Sequence, residues 1–131
     1  MDLARFDVSA AAAAGADLHL KHPATGEKLF CEDGSPFVVR VLGNDAPAVK
    51  DAFRSIKEKR AKGKMTDDEA AQEMVAVCVV GWSDDMELDG KPFKYSPDNA
   101  RKLVSDDRTA WIAEQIAPFA LSRRNFAQNM S

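Results

Sequence analysis

A change of pattern near residue 43 constrains this chain more than any other feature. Residues 16–43 alternate polar and apolar side chains between two groups of turn-forming residues, which is typical of short β-strands. Residues 44–131 carry apolar residues at helical spacing, interrupted by capping residues and prolines. The pattern predicts an α+β fold in which a small N-terminal antiparallel β-meander, residues 16–43, is followed by about four α-helices.

The predicted meander has three strands, at residues 17–21, 28–31 and 37–42. Proline and glycine in the turn at 23–26, and Asp-Gly in the turn at 32–35, favour tight reversals of the chain. Three such strands form a sheet with one apolar face. We expect the helices to cover that face.

Capping residues predict where the first helices begin. Asn44 or Asp45 is expected to cap a helix that has proline in its first turn. Thr66 and Glu69 form a capping box that begins the next helix. We expect this second helix to continue towards Trp82, although its β-branched later half has the propensity of a strand.

Turn and capping residues in the last third of the chain predict a hairpin and two more helices. Residues 86–93 read as a tight loop or small hairpin with Asp-Gly at its tip. Ser96 is expected to cap the third helix. The fourth is expected to begin near Asp106 or Asp107 and to kink or end at Pro118.

Length and composition predict one small globular domain. The chain has 131 residues, which suits a flexible segment with a short alanine-rich turn at 1–15 and one α+β domain at 16–131. A net charge of −3 gives no general attraction to nucleic acid, and no apolar run is long enough for a bilayer. Cys31 and Cys78 permit a disulfide on paper, but free thiols are favoured.

The sequence predicts no catalytic, metal or cofactor site from its histidines, carboxylates or basic residues. His19 and His22 would point to opposite faces of a strand. Residues 85–90 imitate the start of a calcium loop, but the position of its last ligand holds a serine. The basic run at 57–64 has no interleaved aromatic residue, so a solvated helix end is favoured over phosphate binding.

The last predicted helix and the residues after it form the candidate protein-binding face. Arginines beside aromatic residues are common in protein contacts, although core packing explains the phenylalanines equally well. The candidate residues are Trp111, Gln115, Phe119, Arg123, Arg124 and Phe126.

Several short strings occur along the chain in a fixed order: His22–Glu27, Val41–Asp45, Val80–Trp82, Leu88–Pro92, Tyr95–Leu103 and Asn125–Phe126. Their order and spacing resemble the tail assembly chaperones and related small tail-region proteins of long-tailed bacteriophages. The resemblance covers about residues 16–127.

The resemblance implies a non-enzymatic protein that needs no cofactor. Such chaperones coat the tape measure protein in the host bacterial cytoplasm before the tail tube polymerises around it. The implied partner is the tape measure protein, with the tail tube protein and copies of the chaperone itself as further candidates, and with no nucleic acid or membrane. One alternative is a structural subunit retained in the virion tail or tail joint. Another is a host-directed enzyme or regulator, whose titratable cluster would have to be assembled by folding.

Overall fold

The computed structural model describes residues 1–130 and confirms the α+β fold class. Five α-helices occur in this range: α1 (Ser9–Ala14), α2 (Pro47–Ala61), α3 (Asp67–Ala76), α4 (Pro97–Ser105) and α5 (Ala110–Leu121). The strands are β1 (Ala16–His19), β2 (Val38–Val41), β3 (Val79–Trp82), β4 (Glu87–Leu88) and β5 (Lys91–Pro92). Leu3–Phe6 and Arg123–Asn129 form 3₁₀ helices.

The main sheet is antiparallel with the order β1-β2-β3. Ala16 lies opposite Val41, and Val39 lies opposite Trp82. The third strand therefore comes from beyond the second long helix, and the prediction of a strand at 28–31 is wrong. That segment lies in the connection between β1 and β2. It forms two isolated bridges instead, Lys21 with Lys28 and Phe30 with Pro36.

The prediction that the second helix runs towards residue 81 is also wrong. Helix α3 ends at Ala76, and the chain enters β3 two residues after Val77. The capping box fixes where this helix begins but carries no information on where it ends. Pairing with β2 decides the conformation beyond Ala76, because it buries Val79 and lets Leu42 donate to the Cys78 carbonyl at 2.8 Å.

Other local predictions at element ends are confirmed. The Thr66 hydroxyl accepts from the Glu69 N–H at 3.1 Å, and the Glu69 carboxylate accepts from the Thr66 N–H at 3.1 Å. Ser96 caps α4 by accepting from the Asn99 N–H at 3.0 Å. The predicted hairpin is β4–β5, whose tip has positive φ angles of 55° and 77° at Asp89 and Gly90.

Two predicted helix starts require correction. Helix α2 begins with Pro47 after Ala46, and no side chain caps it; Asp45 accepts hydrogen bonds from Arg123 instead. Helix α5 begins at Ala110 rather than near residue 106, because the carboxylate of Asp106 accepts from the Arg108 N–H at 2.9 Å and holds a turn there.

Pro118 lies inside α5, which continues to Leu121. The proline therefore does not end the helix, and the chain turns at Ser122 into the final 3₁₀ helix. This arrangement places the exposed Leu121 at the last position of α5.

Aromatic side chains join the hairpin region to β3. The indole of Trp82 donates to the Phe93 carbonyl at 2.7 Å, and the two rings stack with their centroids 5.4 Å apart. The Tyr95 hydroxyl donates to the Val79 carbonyl at 3.1 Å. The rings of Trp82 and Tyr95 also meet edge to face with centroids 5.3 Å apart, so two of the strings behind the resemblance contact each other here.

The helices cover one face of the sheet, as expected, and enclose the main core. Its most deeply buried side chains are Leu20, Val39, Val41, Val49, Cys78, Leu103 and Ile116. A smaller cluster joins Ala11, Ala16 and Phe126, so α1 and the last 3₁₀ helix pack on each other. The predicted flexibility of residues 1–15 stays a prediction.

Both cysteines are free thiols, as expected, with Cys31 partly exposed and Cys78 buried. Among the described helices, none is both long and apolar enough to cross a membrane.

Candidate protein-binding site

An open apolar groove lies between α2, α3 and α5, and we call it the α2–α3–α5 groove. Its volume is about 390 Å³. The lining residues are Asn44, Phe53, Ala71, Met74, Val75, Cys78, Ile116, Ala117 and Leu121. Seven of these nine residues belong to the three helices, so most of the lining has helical spacing.

Apolar side chains at the mouth of this groove remain accessible. Leu121 is 70% exposed, and Phe53 and Met74 are partly exposed. Exposure of this much apolar surface along one cleft is typical of a binding surface, since a single scattered residue would not form a cleft. A partner that covered these side chains would gain free energy from burying them.

Cys78 forms part of the groove floor and carries no charge there. Burial raises the pKa of its thiol to about 11. The Sγ atom lies 3.5 Å from the Met74 carbonyl oxygen and 3.7 Å from Asn44 Oδ1, which places it as a weak hydrogen-bond donor to both. The floor is therefore neutral and mostly apolar.

The rim of the groove is charged unequally. Lys50 and Lys57 lie three residues before and four residues after Phe53, so they extend from the same side of α2. Glu114 lies three residues before Ala117 on α5 and is exposed. Helical spacing therefore places lysines on the side of α2 that includes Phe53, and a glutamate on the side of α5 that includes Ala117.

The structure divides the face that the sequence predicted. Gln115 is hydrogen-bonded to the backbone of Lys21, and Trp111 is half-buried beside it on α5. Arg123 donates to the Asp45 carboxylate at 2.8 and 3.0 Å. These bonds hold the domain together, and they occupy groups that were predicted to contact a partner.

The phenylalanines of the predicted face pack against each other. The rings of Phe119 and Phe126 meet edge to face with centroids 5.8 Å apart, and Phe126 is 3% exposed. Arg124 is exposed, and no ion pair to it occurs in the described part of the chain. Of the six predicted residues, Arg124 is the one whose charged group is free for a partner.

A second pocket lies under Trp111, with a volume of about 190 Å³. Apolar residues surround this pocket. They come from the connection between β1 and β2, the hairpin region, α4 and α5, and include Leu29, Phe37, Met86 and Leu103. The volume of this pocket is about half that of the α2–α3–α5 groove. A single side chain of a partner would fit it better than a helix.

The residues considered for metal binding are engaged elsewhere. His19 Nε2 lies 2.6 Å from the Leu29 carbonyl oxygen, and His22 Nδ1 accepts from the Ala24 N–H at 3.1 Å. Asp89 accepts two hydrogen bonds from Arg108, each of 2.9 Å. Within residues 1–130, no group of three or more histidines, cysteines and carboxylates has the spacing of a metal site.

Sequence reasoning missed three residues that define the groove: Ala71, Met74 and Leu121. Periodicity places Met74 on an apolar helix face, but it does not show that two neighbouring helices leave this face uncovered. The prediction that the helix kinks or ends at Pro118 gave no reason to place Leu121 on it. The available signal was an apolar residue three positions after a proline in an otherwise helical pattern.

Comparisons with family models, with curated proteins and with solved structures identify no match for this chain. The α2–α3–α5 groove is thus the most direct structural clue to function. The apolar lining of the groove can pack against an apolar helix. The nearby charges of Lys57 and Glu114 can orient that helix.

Proposed function

We propose that this protein is a tail assembly chaperone of a long-tailed bacteriophage. It binds apolar helical segments of the tape measure protein and prevents their aggregation until the tail tube polymerises. In this role it makes and breaks no covalent bond, and it acts in the cytoplasm of the infected bacterium. The motif order described above supports the phage assignment.

The observation that carries the chaperone activity is the open α2–α3–α5 groove. An amphipathic helix binds such a groove by inserting apolar side chains at one-turn spacing. Tape measure proteins are long and largely helical, so they offer many such segments before assembly. A groove lined by Phe53, Met74 and Leu121 suits this class of client.

The size of the groove suits a coat that must later be displaced. A volume of about 390 Å³ accommodates a few side chains, so one copy buries a small area on its client. Small interfaces bind weakly, yet several copies on one long client together protect it. Weak single contacts then allow the polymerising tail tube to replace the chaperone.

Co-expression with the tape measure protein of the same phage tests the proposal. We expect the tape measure protein to become soluble and to co-purify with the chaperone. Leu121→Asp places a charge at the mouth of the groove and should abolish both effects. Phe30→Asp is the matched control, because Phe30 is 56% exposed but lies outside the groove.

A tape measure protein that is equally insoluble with and without this chain would contradict the proposal. Mass spectrometry of purified virions tests the alternative structural role. Stoichiometric presence in finished particles would favour a retained tail or tail-joint subunit, whereas a displaced chaperone should be absent from them.

A further inference from the structure

We infer that the α2–α3–α5 groove selects an amphipathic helix by charge: carboxylates on one flank of the bound helix face α2. The identity of the natural client rests on the proposed function. The preference itself follows from the groove and its rim.

Small side chains on two facing walls make the groove suitable for bulky apolar anchors. Ala71 on α3 and Ala117 on α5 are both exposed and both line the groove. Packed helices approach to roughly 8–10 Å, and small side chains at the contact allow the shorter separations. Met74 can adapt its unbranched side chain to anchors of different shape. The lining therefore selects apolar residues at helical spacing without demanding one sequence.

The charge on and just after α2 discriminates between helices that the apolar lining would bind equally well. Residues 50–64 include seven lysines and arginines against two carboxylates, in a chain whose net charge is −3. Lys57 is exposed and lies one helical turn after the lining residue Phe53, and no ion pair to it occurs among residues 1–130. Its ammonium group is available to a carboxylate on a bound helix.

The other charged groups near the basic edge are partly engaged. Lys50 is close enough to Asp7 and Asp45 to contribute to their lowered pKa values. Arg54 pairs with Asp51 at 2.6 Å. Lys57 is therefore the residue whose charge should matter most for a bound helix.

The opposite wall gives the preference a direction. Glu114 is exposed and lies nearly one helical turn before the lining residue Ala117, so it disfavours carboxylates on that flank of a bound helix. A helix with its carboxylates towards α2 meets attraction on one side and avoids repulsion on the other. Charge reversal on the helix should thus weaken binding more than charge removal.

Two synthetic peptides test the inference on the full-length chain. Both are amphipathic helices of about three heptads with the same apolar stripe; one carries glutamate on a single flank, and the other carries lysine there. Titration calorimetry should give about threefold to tenfold tighter binding of the glutamate peptide. The difference should shrink at high salt, because these charges are exposed.

Charge reversal on the protein provides the matched test. Lys57→Glu should remove or invert the preference between the two peptides. Lys64→Glu makes the same change in charge in the loop after α2 and should preserve it. Unchanged circular dichroism of each variant would show that the fold is retained.

Equal binding of the two peptides would overturn the charge preference, even if Leu121→Asp abolished binding of both. Failure of both peptides to bind would overturn the groove as a helix site. Preferential binding of the glutamate peptide, with no co-purification of the tape measure protein, would support the inference and contradict the proposed function.

Discussion

Gln115 bonds the backbone of Lys21 through both ends of its side-chain amide. Its Oε1 atom accepts from the Lys21 N–H at 2.9 Å, and its Nε2 atom donates to the Lys21 carbonyl at 2.8 Å. The amide therefore acts like a neighbouring strand for the chain just beyond β1. This pair ties α5 to the sheet side of the domain across 94 residues of sequence.

Replacing this amide should destabilise the fold. Gln115→Ala leaves the Lys21 N–H and carbonyl to water, so we expect a loss of about 1 kcal/mol in the free energy of unfolding. Urea denaturation measures the loss. Glu114→Ala, one position away on the exposed side of α5, should change the stability by less than about 0.5 kcal/mol. Equal effects of the two variants would show that the amide bonds contribute nothing.

Local signals in the sequence predicted the parts of the fold that depend on neighbouring residues. The Thr66 capping box, the Ser96 cap and the hairpin tip at Asp89 each satisfy backbone groups within a few residues. Their geometry therefore requires no distant contact. Apolar spacing within each helix is also local, so the four helices after residue 44 could be counted from the sequence although two of their starts were misplaced.

Distant contacts decided the parts that the sequence did not show. Val79 becomes part of a strand because β2 pairs with it, and the propensity of the segment alone suits helix or strand. Asp45 faces Arg123 across 78 residues, so it binds an arginine instead of capping α2. The groove depends on how far α2, α3 and α5 stand apart, which periodicity within one helix does not encode.

The ion pair between Asp45 and Arg123 should make stability depend on pH. Hydrogen bonds from Arg123 lower the pKa of Asp45 below its ordinary value of 3.8. A carboxyl whose folded pKa is lowered stabilises the fold above its unfolded pKa, and this contribution is lost as pH falls through the folded pKa. The stabilisation should therefore be complete near pH 7 and decline below about pH 4.

Asp45→Asn should cost about 1 kcal/mol at pH 7, since the arginine side of the pair is exposed to solvent. The difference from wild type should diminish in urea titrations at acid pH. Asp51→Asn removes an exposed pair with Arg54 and should have little effect at either pH. A difference that stayed constant with pH would contradict the assignment.

Gly43 lies where the two termini pack, and it leaves no room for a side chain. A Cβ atom there would lie 2.8 Å from the Ala12 Cβ and 3.1 Å from Cε2 of Phe126. Gly43→Ala should therefore destabilise the domain by roughly 1–3 kcal/mol through overpacking. Gly81→Ala is the control, because its new Cβ would make an ordinary contact of 3.6 Å with Arg40. Thermal unfolding that ranked the two variants in the opposite order would contradict this packing.

Phe126 should act as a core residue rather than as a contact for a partner. Phe126→Ala empties a site that is 3% exposed, so we expect a loss of about 3 kcal/mol and faster amide exchange in α1. Phe30→Ala, at a side chain 56% exposed, should cost little. Full stability of Phe126→Ala with lost client binding would instead support the protein-binding role that the sequence suggested.

Cys78 provides a chemical probe of the groove floor. Burial raises the pKa of its thiol to about 11, so the reactive thiolate is scarce at pH 8. In a Cys31→Ser chain, a thiol reagent should label Cys78 at least about tenfold more slowly in the native protein than in urea. The rate should rise as the pH approaches 11. The glutamate peptide should slow it further, because a helix in the groove covers the floor. Rapid native labelling at pH 8 that the peptide leaves unchanged would show that the thiol is neither buried nor part of the groove.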